Sequence, residues 1–504
     1  MRKVLLVVVV LCIGVYAQSQ VLTQKLDSIR IKYNVVGMSV SVVKGAEVVY
    51  TKGFGLRDVG LNKVMTDSTK YRIASISKSI SAIALMTLYD KGLFSLKDDV
   101  SKHLGFTLRN PSFPNDTITV GMVLSHTASL RDGAGYDGFL SASYNVNPPP
   151  AISQLLVPGG GYYSSDVFSS AKGPKDSYFQ YSNINYGVIG TLVEKISGKR
   201  FDQYCKEVIF DKLGMQASYN VADFASVDNI AALYRKSGSS WAVQADGFAG
   251  VKPAPRDLSS YTIGANGLIF APQGGLRISS TDLAKVMSLL INKGVVNGVR
   301  ILSEQTTTLM LTPLWNYSSG NGNNYYGIFN SYGTGISKTT ELLSGEEMFG
   351  HPGEAYGLIS DSYFSVKGNY GIVFITNGGQ WGYGNYSGWY NVEEDVYKAC
   401  LAELKNLPIS VETEPSVVSS FEILSNYPNP FNPGTTIEYI IKEEGTVKIS
   451  LFNTIGQLVY SESVFQQSGK NSHVIQVDNL VSGTYLATVE SAGQTRSHKI
   501  LLLK

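Results

Sequence analysis

Two β-hairpin patterns stand at opposite ends of a long N-terminal stretch of this chain. Met38 to Val43 and Val48 to Tyr50 flank a Lys44–Gly45 turn, and Tyr363 to Val366 and Tyr370 to Thr376 flank Gly368–Asn369. Turn residues of this kind between apolar runs read as antiparallel hairpins. Helical patterns lie between them. One starts near Tyr186, places Ile189, Leu192, Val193 and Ile196 on one face, and stops at Gly198. Strands at both ends of a helical middle leave few topologies open. They predict a single α/β (α+β) domain in which both ends of the chain complete one antiparallel sheet, flanked by helices.

Composition divides the chain further. Leu407 to Ser420 reads LPISVETEPSVVSS, without an aromatic residue, and is expected to be a linker. Beyond it, Val447, Ile449 and Leu451, then Leu458 and Tyr460, then Tyr485, Ala487 and Val489 alternate, and Ile500 to Leu503 close the chain. That spacing predicts a small all-β, immunoglobulin-like sandwich. All four tryptophans lie upstream of it, which argues against a sugar-stacking surface there. At the other end Met1-Arg2-Lys3, an apolar run from Val4 and the small-residue pattern ending at Ala17 read as a secretory signal peptide. The expected organisation is therefore signal 1–17, mixed α/β unit 18–406, linker 407–420 and β unit 421–504, with no transmembrane segment after signal removal.

A formal charge of +2 with 16% charged residues makes nucleic acid a poor partner. Cys205 and Cys400 remain after signal removal and are expected to be buried and unpaired, since a large exported domain does not need staples. The histidines are scattered and neither H-E-x-x-H nor G-x-S-x-G occurs, so no metal or cofactor is implied.

The chemistry concentrates at Ser75-Ile76-Ser77-Lys78. Residues three apart on a helix share a face, so Lys78 would sit beside the Ser75 hydroxyl while Ile80, Ile83, Ala84 and Leu88 face a core and Gly92 ends the helix. The spacing recurs at Ser41 and Lys44 and at Ser169 and Lys172, so context must choose among them. A lysine with its solution pKa near 10.4 is about 3.4 units, roughly 4.6 kcal/mol, from its basic form at neutrality. Burial must lower it, or another group must take the proton. Tyr181-Ser182-Asn183 supplies a phenol for relay and an amide to hold Lys78 or the substrate. In Gly350-His351-Pro352-Gly353, Gly353 admits a substrate to the backbone, and Pro352 suits an edge strand. The Glu354 N–H could there join that of Ser75 as an oxyanion hole.

In this order, YRIASISKSISAIALMTLYDKGLFSLKDDVSKHL, YSNINYGVIGTLVEKISGKRFDQYCKEVIFDKLGM and FGHPGEAYG resemble the class C β-lactamase-like serine hydrolases. VLSHTASL around His126 and QGGLRISSTDLAKV around Gly275 extend the resemblance over Leu26 to Asn377. It implies Ser75 as acylated nucleophile, Lys78 and Tyr181 as the base system, Asn183 as an orienting amide, and His351 and Gly353 where relatives carry K-T-G or H-x-G. His126 is expected to be structural. A histidine at 351 is only partly charged near neutrality, and Pro352 removes a threonine hydroxyl. Both departures favour a peptidase or esterase over a β-lactamase. The tail, from NYPNPFNP at Asn426 through SLFNTIGQLV and SGTYLATV to HKILLLK, resembles a type IX secretion C-terminal sorting domain. It implies the type IX machinery as a partner and a cell-surface or extracellular location.

The expected function is an exported serine hydrolase acting on a small peptide, ester or amide, with cell-wall D-alanyl peptides first. The alternatives are a carboxylesterase, a weak class C-type β-lactamase, or a non-catalytic surface binding protein on the same fold. The Gly-, Ser-, Pro- and Tyr-rich insertion between Arg131 and Phe179 is expected to rim the cleft and set specificity.

Overall fold

The computed structural model describes residues 19–384, 388–404, 407, 421–441, 443–467 and 469–504. The expected signal peptide lies outside these residues, as does the expected linker apart from Leu407. The chain forms two compact units, Met1–Ile409 and Ser410–Lys504.

In the first unit, Gly37–Lys44 (β1) and Glu47–Asp58 (β2) form the first hairpin. Its two-residue turn is Gly45–Ala46 rather than Lys44–Gly45, because Lys44 pairs with Glu47 and Gly45 takes the left-handed φ of +63°. Met348–Ala355 (β3), Leu358–Ser365 (β4) and Tyr370–Thr376 (β5) follow near the end of the unit. β5 pairs antiparallel with β1, Met38 opposite Thr376 and Lys44 opposite Tyr370, so both ends of the chain do complete one sheet. Among the described residues the sheet has nine strands: Trp315–Asn316, Ser331–Tyr332, Ser337–Thr339, β3, β4, β5, β1, β2 and Lys63–Val64.

Both faces of the sheet are covered, which is why β5 is apolar along its length. Val373 and Ile375 face one core with helices Ser77–Asp90 (α1), Ile184–Ser197 (α2) and Ser280–Ile291 (α3). Ile372 and Phe374 face the other, with Leu22 and Leu26 of a helix over 19–32 and Val392 and Val396 of Asn391–Glu403 (α4). α2 ends at Gly198 with φ +70°, as its sequence predicts. The competing serine–lysine spacings separate here: Ser41 and Lys44 lie in the extended β1, where residues three apart point to opposite faces, and Ser169 lies outside any helix.

The insertion is not the one continuous loop that its composition suggests. Tyr136–Asn145 is a helix, and Phe139, Leu155, Leu156, Val167 and Phe168 enter the main core. Its apolar residues outweigh the turn-forming ones that make the segment read as loop.

The C-terminal unit is an all-β sandwich. One sheet orders Glu422–Tyr427, Gly434–Ile441 and Gly469–Gln476; the other orders Leu458–Gln466, Gly445–Phe452, Gly483–Ser491 and Gln494–Leu502. Ile437, Tyr439, Val447, Ile449, Leu451, Tyr485, Ala487, Val489, Ile500 and Leu502 fill the space between them. Leu458 and Leu503 are instead exposed, the first at the edge strand's start and the second past the last strand.

Cys205 and Cys400 are both buried and free, in separate cores. Burial holds both thiols in the protonated form. A chain without its first 17 residues should therefore show no reactive thiol toward Ellman's reagent when native and two on denaturation without reductant.

Candidate active site

The strand Lys70–Arg72 pairs with Arg277–Ser279 and delivers the chain to Ala74. Ala74 has φ +50°, a conformation that costs an L-residue about 1 kcal/mol and turns the backbone sharply. A 3₁₀ turn over Ala74–Ile76 follows, then α1. Ser75 thus precedes the α-helix instead of opening it. The turn lifts it into partial exposure within a run, from Ile73 to Leu88, that is otherwise buried.

Lys78 has no exposed surface. Its Nζ donates to Ser75 Oγ at 3.0 Å, Asn183 Oδ1 at 2.9 Å and the Gln273 carbonyl at 2.9 Å. An ammonium has three protons, and each finds an acceptor. The Tyr181 ring lies 4.8 Å from Nζ and the Tyr186 ring 5.7 Å. Burial lowers the Lys78 pKa to about 7, against the pull of Asp132, which favours the charged form. The environment supplies nearly all of the shift that a lysine base needs.

Tyr181 and Asn183 lie on the segment entering α2. The Tyr181 hydroxyl is buried and meets no partner at hydrogen-bonding geometry, and Ser75 is the group near enough to temper the rise that burial imposes on its pKa. Its ring stacks on Phe329, centroids 5.4 Å apart, and packs 4.5 Å from His126. His126 is buried with φ +58°, and its Nδ1 accepts from the Ser182 N–H and Asn185 Nδ2, both at 3.2 Å. Nδ1 is therefore the unprotonated nitrogen, and burial beside Lys78 keeps the ring neutral. It acts as a peg beneath Tyr181.

Asp132 is not among the residues the sequence singles out. Its carboxylate accepts from the backbone N–H groups of Asn183 and Ile184 at 2.9 Å, from Asn183 Nδ2 at 2.9 Å and from Ser182 Oγ at 3.1 Å. It caps the start of α2 from outside the helix and aims the Asn183 carbonyl at Lys78. A lone aspartate at the start of a Gly-rich insertion carries no pattern that reveals this. Gln273 lies within the QGGLRISSTDLAKV stretch, but only the fold turns its backbone carbonyl toward Lys78.

On the opposite wall, Ser337–Thr339 pairs with β3 only from Met348 to Gly350. β3 is thus not the sheet edge along its whole length, yet from His351 onward its outer side is free, which accommodates Pro352. His351 is 1% exposed, so it does not present a cationic head to the cleft. Its Nδ1 lies 2.6 Å from the Pro352 carbonyl and Nε2 2.9 Å from the Tyr332 hydroxyl. A carbonyl only accepts, so Nδ1 carries the proton and Nε2 accepts from the phenol. Burial, then Lys78, push its pKa down to about 3, removing even the partial charge expected from sequence. Gly353 runs against the nucleophile turn: a Cβ there would lie 2.4 Å from Ser360 Oγ, 2.5 Å from the Ile73 carbonyl and 3.3 Å from Ser75 N. The Glu354 side chain is exposed and accepts from the Tyr390 hydroxyl at 3.3 Å. A pocket of about 320 Å³ joins Ser75 and Tyr181 to Gly353, Glu354, Tyr325 and Phe329.

Residues 20–395 match the Beta-lactamase family model. The chain belongs to that family. It is a serine hydrolase related to the penicillin-binding proteins. Residues 425–503 match the secretion system C-terminal sorting domain, which marks this serine hydrolase for type IX export to the cell surface or extracellular space. Over 174 residues it is 28% identical to Protein flp of Staphylococcus aureus (strain N315), covering 34% of this chain and 32% of the relative. Over 179 residues it is 26% identical to Penicillin-binding protein 4* of Bacillus subtilis (strain 168), covering 35% and 36%. The chain thus spans about a third of the length of these curated relatives. In fold it is similar to the octameric penicillin-binding protein homologue from Pyrococcus abyssi (TM-score 0.55, 21% identity, 96% of each chain covered). It is also similar to the D-amino acid amidase from Ochrobactrum anthropi SV3 (TM-score 0.56, 20% identity, 77% of this chain and 99% of that one). Among the described residues, no helix is long and apolar enough to cross a membrane.

Because the free amine is the proton-accepting form of Lys78, labelling of Ser75 by an uncharged fluorophosphonate should rise with pH through about 7 and then level. Asp132→Asn removes the group that favours the charged amine, so the midpoint should move to lower pH. The same change loosens Asn183 and should slow the plateau rate roughly ten- to hundredfold. Gly353→Ala should cut labelling by a similar factor, because its Cβ displaces the Ser75 turn.

Proposed function

We propose that this protein hydrolyses amides or esters through an acyl-enzyme on Ser75, and that D-alanyl-type peptides are its natural substrate class. The observation that carries the reading is the buried Lys78 amine 3.0 Å from Ser75 Oγ with a pKa of about 7. At neutrality roughly half of such a lysine is already the free base.

In this reading Ser75 Oγ attacks the substrate carbonyl while its proton passes to Lys78 Nζ, directly or through the Tyr181 hydroxyl. The carbonyl oxygen gains the negative charge and is held by the N–H groups of Ser75 and Glu354. Collapse of the tetrahedral intermediate expels the amine or alcohol, which takes the proton from Lys78 or Tyr181. Water then attacks the ester on Ser75, giving up a proton to the same base, and the C–Oγ bond breaks as that base returns the proton to Ser75 Oγ and the carboxylic acid leaves. Asn183, held by Asp132, keeps Lys78 aimed at Ser75.

Two features favour peptide or ester over β-lactam. His351 is neutral and buried, and Pro352 has no hydroxyl, so this wall offers no side-chain cation or hydroxyl at those positions to a drug carboxylate. Among structural neighbours, a D-stereospecific amidohydrolase from Streptomyces sp. and the D-amino acid amidase act, by name, on D-configured or amide substrates. The aromatic lining by Tyr325, Tyr326 and Phe329 supports an apolar ester as the second reading.

Intact-protein mass after incubation with a fluorophosphonate should show one adduct on the wild-type catalytic unit and none on Ser75→Ala. Lys78→Met should slow the labelling by about 10²- to 10⁴-fold. A penicilloyl adduct that persists for hours would favour the peptidase reading, and one lost within minutes the β-lactamase reading. A folded wild type with no fluorophosphonate adduct would overturn the proposal.

A further inference from the structure

Outside the aromatic pocket, the nucleophile turn has a second neighbour. Arg72, three residues before Ser75, is half-buried, and no carboxylate pairs with it among the described residues. Its Nε reaches the Gly274 carbonyl only at 3.4 Å, and its guanidinium lies 4.9 Å from the Tyr356 ring, leaving its terminal nitrogens without a hydrogen bond among the described residues. An arginine set against an aromatic face with its fork free is poised for a planar anion.

Two further polar groups lie beside it. Gln273 is 9% exposed, and its side-chain carbonyl is buried without a partner. The Tyr144 hydroxyl, brought in by the insertion helix, is buried beside the Gln273 amide and meets no partner at strict hydrogen-bonding geometry among the described residues. Gln273 and the cations Arg72 and Arg256 all act on that phenol. A phenol and an amide that meet without a well-aligned hydrogen bond, next to a guanidinium with free nitrogens, leave donors available to an anion beside the reactive serine once the amide presents its N–H₂. The backbone of the same Gln273 holds Lys78, which places the cluster beside the reaction centre. Gly274 faces the nucleophile turn: the nearest atom to a Cβ there would be the Ala74 carbonyl carbon, at 3.7 Å.

We propose that Arg72, Tyr144 and Gln273 form a subsite for a carboxylate on the substrate, outside the aromatic pocket and next to Ser75. The inference rests on the acyl-enzyme reading and narrows its substrates to anionic ones. Arg72 binds the carboxylate through its free nitrogens, Tyr144 donates its O–H, and the Gln273 amide turns its N–H₂ toward the anion. Tyr356 shields one face of the guanidinium from water.

The test uses two pairs of thioesters. One pair carries a carboxylate or its carboxamide on the acyl group (glutaryl against glutaramoyl), the other on the leaving group (mercaptoacetate against mercaptoacetamide). The wild type should prefer the carboxylate member of at least one pair by roughly ten- to hundredfold in kcat/KM, and the pair that shows it identifies the side served. Arg72→Gln should abolish that ratio, Arg72→Lys should retain part of it, and Tyr144→Phe, which removes a single oxygen atom, should reduce it several-fold. A wild type with no preference in either pair, or a preference that survives Arg72→Gln, overturns the subsite. Fluorophosphonate labelling separates the two readings: labelling intact with no carboxylate preference sinks the subsite alone, whereas a wild type that never labels sinks the acyl-enzyme reading and the subsite with it.

Discussion

An amine taken out of water with no carboxylate bonded to it is an expensive thing for a fold to hold, and the catalytic unit is arranged around one. Lys78 reaches three acceptors that come from three separate segments: the nucleophile turn, the entry to α2 and the loop before Arg277. Because none of the three is an anion, the charged form gains hydrogen bonds but no ion pair, and desolvation dominates. Asp132 stands one amide further out, bonded to Asn183 rather than to the lysine. Moved into contact, the same carboxylate would hold the ammonium charged and remove the base. Distance of a single side chain separates a structural ion pair from a titratable amine near neutrality.

The opposite wall is built by the same economy of charge. His351 lies between the Pro352 carbonyl and the Tyr332 phenol, both satisfied without a proton beyond the first, and the nearby lysine discourages a second. The pocket beside Ser75 is lined mainly by aromatic rings, with Glu354 exposed on its wall and Arg72 half-buried outside it. The free outer side of β3 follows from a short neighbour: Ser337–Thr339 stops pairing at Gly350, and the backbone beyond is open beside the nucleophile.

Much of the fold is legible in the sequence because it is written in short-range chemistry. The hairpins are marked by turn residues between apolar runs, α2 by its periodicity and its terminal glycine, and the C-terminal sandwich by strict alternation. The single-residue offset of the first turn reflects a choice among turn conformations that Gly45 resolves by its φ. The insertion was less legible. Gly, Ser and Pro suggest loop, while the few apolar residues that anchor it in the core are too widely spaced to show a period. Of the candidate residues, the structure brings Ser75, Lys78, Tyr181, Asn183, Gly353 and Glu354 to one place. His351 it places behind that cleft, against Tyr332.

The sequence by itself determined the residue types and local spacings: a serine and a lysine one turn apart, a tyrosine and an asparagine at a helix entry, a glycine where backbones meet, a β tail patterned as a sandwich. Those are properties of neighbours along the chain, and period and turn propensity report them directly. Tertiary structure decided protonation and aim. Whether Lys78 is a base, whether His351 carries charge, which aspartate steadies Asn183, and whether Arg72 finds a partner all depend on burial and on groups tens to hundreds of residues away. Electrostatic free energies vary with the surrounding dielectric and with distance in space, and neither quantity is encoded in the order of residues.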